Sequence, residues 1–144
     1  MSARRALVTG VAGQDGSYLA ELLVEQGYEV VGLDRAEDGI EAPNLDGVRS
    51  RIAYVQGELL DPESLRAAVD AVRPHELYHL AAPTFVPDSW ADPTETVQAI
   101  AGGTAALLAA ALAQPERPRV WVAASSEVFG DAGESPQHEG SPML

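Results

Sequence analysis

Residues 6–35, ALVTGVAGQDGSYLAELLVEQGYEVVGLDR, decide the fold of this chain. Ala6-Leu7-Val8-Thr9 is a short apolar run of β type, and Gly10, Gly13 and Gly16 follow it at three-residue spacing. A helical pattern then runs through Leu19, Leu22 and Leu23 and closes at Gly27, and Glu29 to Leu33 form a second β-type run. Strand, glycine turn, helix and strand make the context in which such a triplet marks a dinucleotide site. Gly10 and Gly13 let bare main chain approach a ligand. A helix starting near Gln14 and Asp15 points its unpaired N–H groups at the same turn, which suits a pyrophosphate. Gly16 allows the helix to sit tightly on the strand. A glycine-rich turn without a ligand is the bland alternative, and the complete strand–turn–helix frame outweighs it.

The rest of the composition narrows the function classes. At 144 residues the chain has room for one domain with a real core, spanning residues 1–144. Its net charge of −13 argues against nucleic acid or an anionic membrane as partner. With no cysteine it has neither disulfides nor thiolate metal sites. The N-terminus shows no signal-peptide pattern and no apolar run is expected to be long enough to span a bilayer, so cytoplasm is the default placement. All nine basic residues are arginines, so the chain contains no lysine.

Asp34 and Arg35 close the second strand, where the adenosine ribose of a dinucleotide lies. An acid there suits the ribose diol of NAD and an arginine suits the 2′-phosphate of NADP. Both are present, and Glu37 and Asp38 add negative charge, so the choice stays open. Residues 39–50 read as loop with at most one helical turn. Ile52 to Gln56 is expected as a third strand, followed by Gly57-Glu58-Leu59. Asp61-Pro62 opens a helix as cap and first-turn proline, with Leu65, Ala68, Val69 and Val72 on its inner face and Arg73-Pro74 at its end. Glu76 to Leu80 forms a fourth strand and runs into Ala81-Ala82-Pro83-Thr84. Asp92-Pro93-Thr94-Glu95 starts the longest helix, in which Val97, Ile100, Leu107, Leu108 and Leu112 recur at helical spacing. Its mid-helix Gly102-Gly103 pair implies close packing on the sheet or on a partner helix. Val120 to Ala123 is a fifth strand leading to Ser125-Ser126-Glu127, and residues 131–144 read as loop.

His75-Glu76-Leu77-Tyr78-His79 matches H-E-x-x-H, the helical zinc-protease pattern. On a helix the two histidines share a face; on a strand they stand about 13 Å apart, too far for one ion. The run lies between Pro74 and Pro83, where the alternating pattern requires a strand, so no metal site is assigned. Five strands alternating with helices imply an α/β doubly wound parallel sheet of Rossmann type in order 3-2-1-4-5. Gly10 to Gly16, Asp34, Glu58, Ala81-Ala82 and Ser125 to Glu127 all follow strand ends and converge on one rim, where such sheets bind ligands.

With these residues assembled, the chain resembles the N-terminal part of the extended short-chain dehydrogenase/reductases of the epimerase/dehydratase superfamily. Within them it is most similar to the GDP-mannose 4,6-dehydratases. TGVAGQDGSYLAELLVEQGYEV, the Glu58-Leu59 pair, LYHLAAPTFV, and SSEVFG followed by ESPQHEGSP carry the likeness. The resemblance implies that Gly10 to Asp15 hold the pyrophosphate, that Glu58 and Leu59 flank the adenine, and that Leu80 to Thr84 line the cofactor, NADP or NAD, with main chain. It makes Ser125 the hydroxyl that bonds the sugar 4-hydroxyl, Glu127 the acid–base carboxylate, and Ser126 a substrate-side residue favouring a GDP-mannose substrate. The family oxidises C4 with a Tyr-x-x-x-Lys pair that lies shortly beyond the segment matching residues 134–142. No lysine here supplies it, so the chain is expected to stop before the catalytic pair and the C-terminal sugar-nucleotide lobe, and to be inactive alone. A non-catalytic NAD(P)-binding sensor or scaffold, and an epimerase or reductase of the same superfamily, are the alternatives. Pairing through helices like residues 93–113 is implied in relatives, which makes a homo-oligomer an expectation by resemblance. The fifth strand, with Val120, Trp121 and Val122, is expected as an apolar edge prone to association.

Overall fold

The computed structural model describes residues 3–35 and 42–143, with Ser126 as main chain only. Of the residues weighed for the ribose site, Glu37 and Asp38 lie outside the described part. The chain runs β1 (Arg5–Thr9), α1 (Gln14–Glu25), β2 (Glu29–Asp34), β3 (Ala53–Gln56), α2 (Pro62–Val72), β4 (Glu76–His79), α3 (Val86–Ala91), α4 (Pro93–Val97), α5 (Gly103–Ala113) and β5 (Arg119–Val122). Short 3-10 turns stand at Pro43–Leu45, Arg49–Arg51 and Ser126–Phe129, and a π turn, Gln98–Gly102, joins α4 to α5.

All five strands pair in parallel in the order β3-β2-β1-β4-β5. Leu33, Thr9, His79 and Val122 fall in register across four of them, so those strands end on one level. This level end is the rim on which the site is built. The helices divide between the faces. Leu7, Val31, Leu33 and Leu77 point to a core completed by Leu65, Ala68, Val69 and Val72 of α2 and Leu107 and Ala110 of α5. Ala6, Val8 and Val30 point the other way, to Ala20 and Leu23 of α1 and to Leu45, Val48 and Ile52. The alternation along β1, one side chain to each face, is what a period-two apolar run produces when both faces are covered.

Asp61 caps α2 through N–H groups of Glu63 and Ser64 at 3.0 and 3.2 Å, and Arg73 closes it in the left-handed conformation before Pro74. The inner face expected for α2 is the observed one. The long helix differs. Val97, Ile100, Leu108 and Leu112 are exposed, and the side chains that face inward are Ala99, Leu107, Ala110 and Ala111. α5 is apolar nearly all round, so spacing does not choose a face; the close approach to α2 does, and it admits small residues. The glycine pair splits in the same way. A Cβ on Gly103 would lie 3.1 Å from the Leu59 carbonyl oxygen, whereas one on Gly102 would meet nothing within 4 Å.

Two further expectations are corrected. Residues 43–51, expected as loop, make two 3-10 turns that bury Leu45 and Val48 beside α1, and α3 falls on residues for which the sequence pattern assigns no element. Pro93–Ala113, 21 residues with a mean hydropathy of 1.6, has the length and composition to cross a bilayer. Its Leu107 and Ala110 are buried in the core against α2 and the sheet, while 28% of its most apolar window is buried.

Candidate functional site

Gly10 leaves β1 at φ +67°, and a Cβ there would lie 2.8 Å from the Ala81 nitrogen. The turn therefore fits directly against the main chain that leaves β4, and only glycine satisfies both angle and space. A Cβ on Gly16 would lie 2.1 Å from the Gly10 carbonyl oxygen, so α1 starts in contact with the end of β1. Gly13 caps α1 with extended backbone and no side-chain hydrogen bond, which leaves first-turn N–H groups open toward the rim. Gly13 itself donates to the Gly10 carbonyl at 3.0 Å. From across the rim, Asn44 donates to the Ala12 carbonyl at 3.0 Å and fixes the outer side of the turn. The sequence around Asn44 reads as loop, and nothing in its neighbours points to Ala12.

In front of this turn lies a cavity of about 740 Å³. Gly10, Gly13, Gln14, Asp15 and Gly16 form one wall, and Leu80, Ala81, Ala82 and Thr84 the next. Ile100 and Thr104 of the helix wall and Ser125 beyond β5 complete it. Strand register brings these residues, separate in sequence, to one opening. Asp34, Arg35, Glu58 and Leu59 are placed differently. They stand on the neighbouring strand ends outside this cavity's lining. There the Gly57 N–H reaches the Asp34 carbonyl at 2.8 Å and Arg35 pairs with Glu58 at 3.9 Å. The arginine weighed for a 2′-phosphate and the acid weighed for the adenine thus face each other in an exposed ion pair. Leu59 packs inward on Gly103 and the α2–α5 core.

Ser125 lines the cavity and caps the 3-10 turn that follows, its Oγ accepting from the Glu127 N–H at 3.2 Å. Ser126 begins that turn. Glu127 is exposed and does not line the cavity. Ser125 therefore stands on the cavity rim, and Glu127 outside it.

The H-E-x-x-H run lies on β4 as a strand. Exposed His75 accepts from the Arg5 N–H at 3.0 Å, and His79 is buried between Thr9 and Thr104, at 2.7 and 3.1 Å. Burial pushes the His79 imidazole below its usual pKa. Glu76 points to the opposite end of the sheet. It accepts from Tyr78 at 2.6 Å and Tyr28 at 3.3 Å and pairs with Arg119, and the Tyr78 bond first and Arg119 next hold its carboxyl below the usual range. Tyr78 in turn is pushed up to about 12 by burial and by Glu76. Among the described residues no group of three or more histidine or acidic side chains is placed to hold a metal ion.

Comparison with known proteins agrees with this geometry. The family profile described as GDP-mannose 4,6 dehydratase matches residues 7–144. A GDP-mannose 4,6-dehydratase of Sinorhizobium fredii is 37% identical over 147 residues, covering 96% of this chain and 42% of the relative. GDP-mannose 4,6 dehydratase 1 of Arabidopsis thaliana is 37% identical over 150 residues, with 96% and 41% covered. The chain thus spans about two fifths of the length of these relatives. Among solved structures, UDP-glucose 4-epimerase of Brucella ovis, in complex with NAD, superposes with a TM-score of 0.80 at 29% identity, covering 99% of this chain and 42% of that one. WbmG of Bordetella bronchiseptica, in complex with NAD and UDP, gives 0.79 at 28% identity, with 99% and 44% covered. A parallel sheet of five strands in the order 3-2-1-4-5, a glycine turn built against Ala81 and a profile match from residue 7 to residue 144 lead to one conclusion: this chain belongs to the GDP-mannose 4,6-dehydratase family.

Proposed function

We propose that the chain is the cofactor-binding part of a nucleotide-sugar 4,6-dehydratase and holds a nicotinamide dinucleotide along the rim from Gly10 to Ser125. One observation carries the reading. The open N-terminus of α1 and the Gly10–Gly16 cradle form a wall of a cavity large enough for a nucleotide, in a place where a single added methyl group would collide with main chain. N–H groups at that helix end stabilise a pyrophosphate without any cation, which suits a chain of net charge −13. Leu80 to Thr84 line the other side, and Asp34, Arg35, Glu58 and Leu59 stand at the strand ends where the adenosine half belongs.

When bound, the nicotinamide supplies a hydride acceptor for C4 of the sugar and returns the hydride at C6. The residues present here would serve the steps around it. Ser125, which lines the cavity, would hydrogen-bond the 4-hydroxyl and the ketone it becomes. The ketone acidifies the C5 proton, and Glu127, exposed just beyond the cavity, is the carboxylate that would remove it and assist the departure of water from C6. GDP-mannose is the proposed sugar nucleotide. A chain without lysine lacks the partner that lowers a catalytic tyrosine pKa, so we expect the 144 residues alone to be inactive.

Calorimetric titration with NAD and with NADP tests the cofactor reading. Saturable one-to-one binding of either supports it, and the tighter of the two settles the ribose preference; no binding of either at millimolar concentration overturns it. Incubation with dinucleotide and GDP-mannose tests the second point, and any 4-keto product from this chain alone contradicts it. The exposure of Glu127 favours, as second reading, a dinucleotide-binding module that performs no chemistry. Fusing the chain to the C-terminal part of a matching relative and repeating the assay separates the two, because only the dehydratase reading predicts product there.

A further inference from the structure

Thr9, His79 and Thr104 form a hydrogen-bonded chain whose every proton is fixed by the groups around it. Thr9 Oγ1 accepts from the Ala81 N–H at 3.0 Å and from the Leu80 N–H at 3.1 Å, the latter shared with the Thr9 carbonyl at 3.3 Å. With its lone pairs so engaged, the Thr9 hydroxyl has its proton left for His79 Nδ1, 2.7 Å away. At the other end, Thr104 Oγ1 donates to the Ile100 carbonyl at 2.6 Å, inside the π turn, and is left to accept from His79 Nε2–H at 3.1 Å. The imidazole is therefore neutral and carries its proton on Nε2. Its burial, which disfavours the charged form, agrees.

The two ends of this chain are two walls of the cavity. Leu80 and Ala81 are the main chain against which Gly10 fits, and Ile100 and Thr104 line the cavity from the helix. The helix is π-wound at this point, a form that appears mostly as single turns and frequently at functional sites. We propose that His79 is a positioning residue that sets the spacing between the strand wall and the helix wall of the dinucleotide cleft. It does so by accepting from Thr9 and donating to Thr104. This role rests on the dinucleotide reading given above for its consequence in binding, and not for its structural part. The H-E-x-x-H resemblance hid it: His79 matters through its two threonines, 70 and 25 residues away in sequence.

The test uses the intact 144-residue chain. Nitrogen-15 NMR of the ring at pH 7 should show the Nε2–H tautomer; the Nδ1–H tautomer, or a charged ring, overturns the proposal. His79→Asn keeps an acceptor near the Nδ1 position, and His79→Gln keeps a donor near the Nε2 position. Hydrogen exchange at the Leu80 and Ala81 amides should stay slow in the first and become fast in the second. Equal protection in both variants overturns the proposal. Affinity for NAD or NADP, whichever binds, should fall roughly tenfold in His79→Gln, the size of losing about one hydrogen bond; wild-type affinity there overturns it. Should neither variant fold, Thr104→Val should loosen binding and Thr104→Ser restore it, and failure of that rescue counts against the role. If the wild-type chain binds neither dinucleotide, the cofactor reading fails by itself. The tautomer and the amide exchange still decide what His79 does.

Discussion

Gly16 and Glu76 show how much single residues decide here. A methyl group at residue 16 would have to occupy space 2.1 Å from the Gly10 carbonyl oxygen, which is main chain on both sides and has no rotamer to yield. Gly16→Ala should therefore cost about 3 kcal/mol or more, the upper range for overpacking, and abolish dinucleotide binding. Urea unfolding and titration with NAD and NADP check this, and an unchanged midpoint would contradict it. Glu76 and His79 govern the acid response. The Glu76 carboxyl is held below its ordinary 4.5 by Tyr78 and Arg119, so the stability it contributes is present above that value and is lost as pH falls through the lower folded value. His79 is held below its ordinary 6.5 by burial, so the unfolded chain takes up its proton first, and this contribution too declines as pH falls below 6.5. Denaturation midpoints measured against pH should thus fall in two stages. Glu76→Gln should flatten the lower stage, below pH 4.5, and leave the upper one.

At the scale of elements, the ends and the spacing of the helices carry separable energies. Asp61 satisfies two N–H groups at the start of α2, and Asp61→Ala should cost about 1 kcal/mol in thermal or urea unfolding. Gly102 is the opposite case. It lies in helical backbone, with open space where a Cβ would stand, so Gly102→Ala should stabilise the chain by about 0.4–1 kcal/mol. The same substitution at Gly103 meets Leu59 at 3.1–3.3 Å and should not stabilise it. The pair looks uniform in sequence; one glycine is there for packing and the other is not. The Thr104 bond to Ile100 sits just beyond this pair, so the Gly102→Ala gain should come without loss of dinucleotide affinity only if the π turn is retained. Measuring both quantities on one variant tells whether that turn is structural or serves the cleft.

For the molecule as a whole, the exposed apolar surface is the feature with consequences. β5 is a sheet edge, with Trp121 52% and Val122 38% exposed, and Leu112 on α5 is 61% exposed. An edge strand with a free ladder and an aromatic side chain beside it favours association, and a charge of −13 opposes it at low salt. Sedimentation of the chain should show concentration-dependent association that grows with added salt and weakens in Trp121→Thr. A monomer at all concentrations and salts would contradict this. The arrangement also explains why the cavity has its shape: the level strand ends put Gly10, Ala81 and Ser125 around one opening, and no single element contains more than one wall of it.

The sheet order, the glycine turn against a strand end, and the rim on which Gly10 to Gly16, Leu80 to Thr84 and Ser125 meet are legible in the residues alone. These follow from local information: a period of two in β1, a period near 3.6 in α2, and caps such as Asp61-Pro62 that need only their near neighbours. Only the tertiary structure decided which face of the long helix is buried, because α5 is apolar on every side and proximity to α2 selects its alanines. Only it showed that Arg35 and Glu58 face each other, that Asn44 holds the glycine turn, and that Glu127 stands outside the cavity while Ser125 lines it. Only it turned His79 from half of a misleading zinc pattern into the link between Thr9 and Thr104. A hydrogen bond between residues 70 positions apart leaves no periodicity behind, and its partners become visible when the strands that carry them are laid side by side.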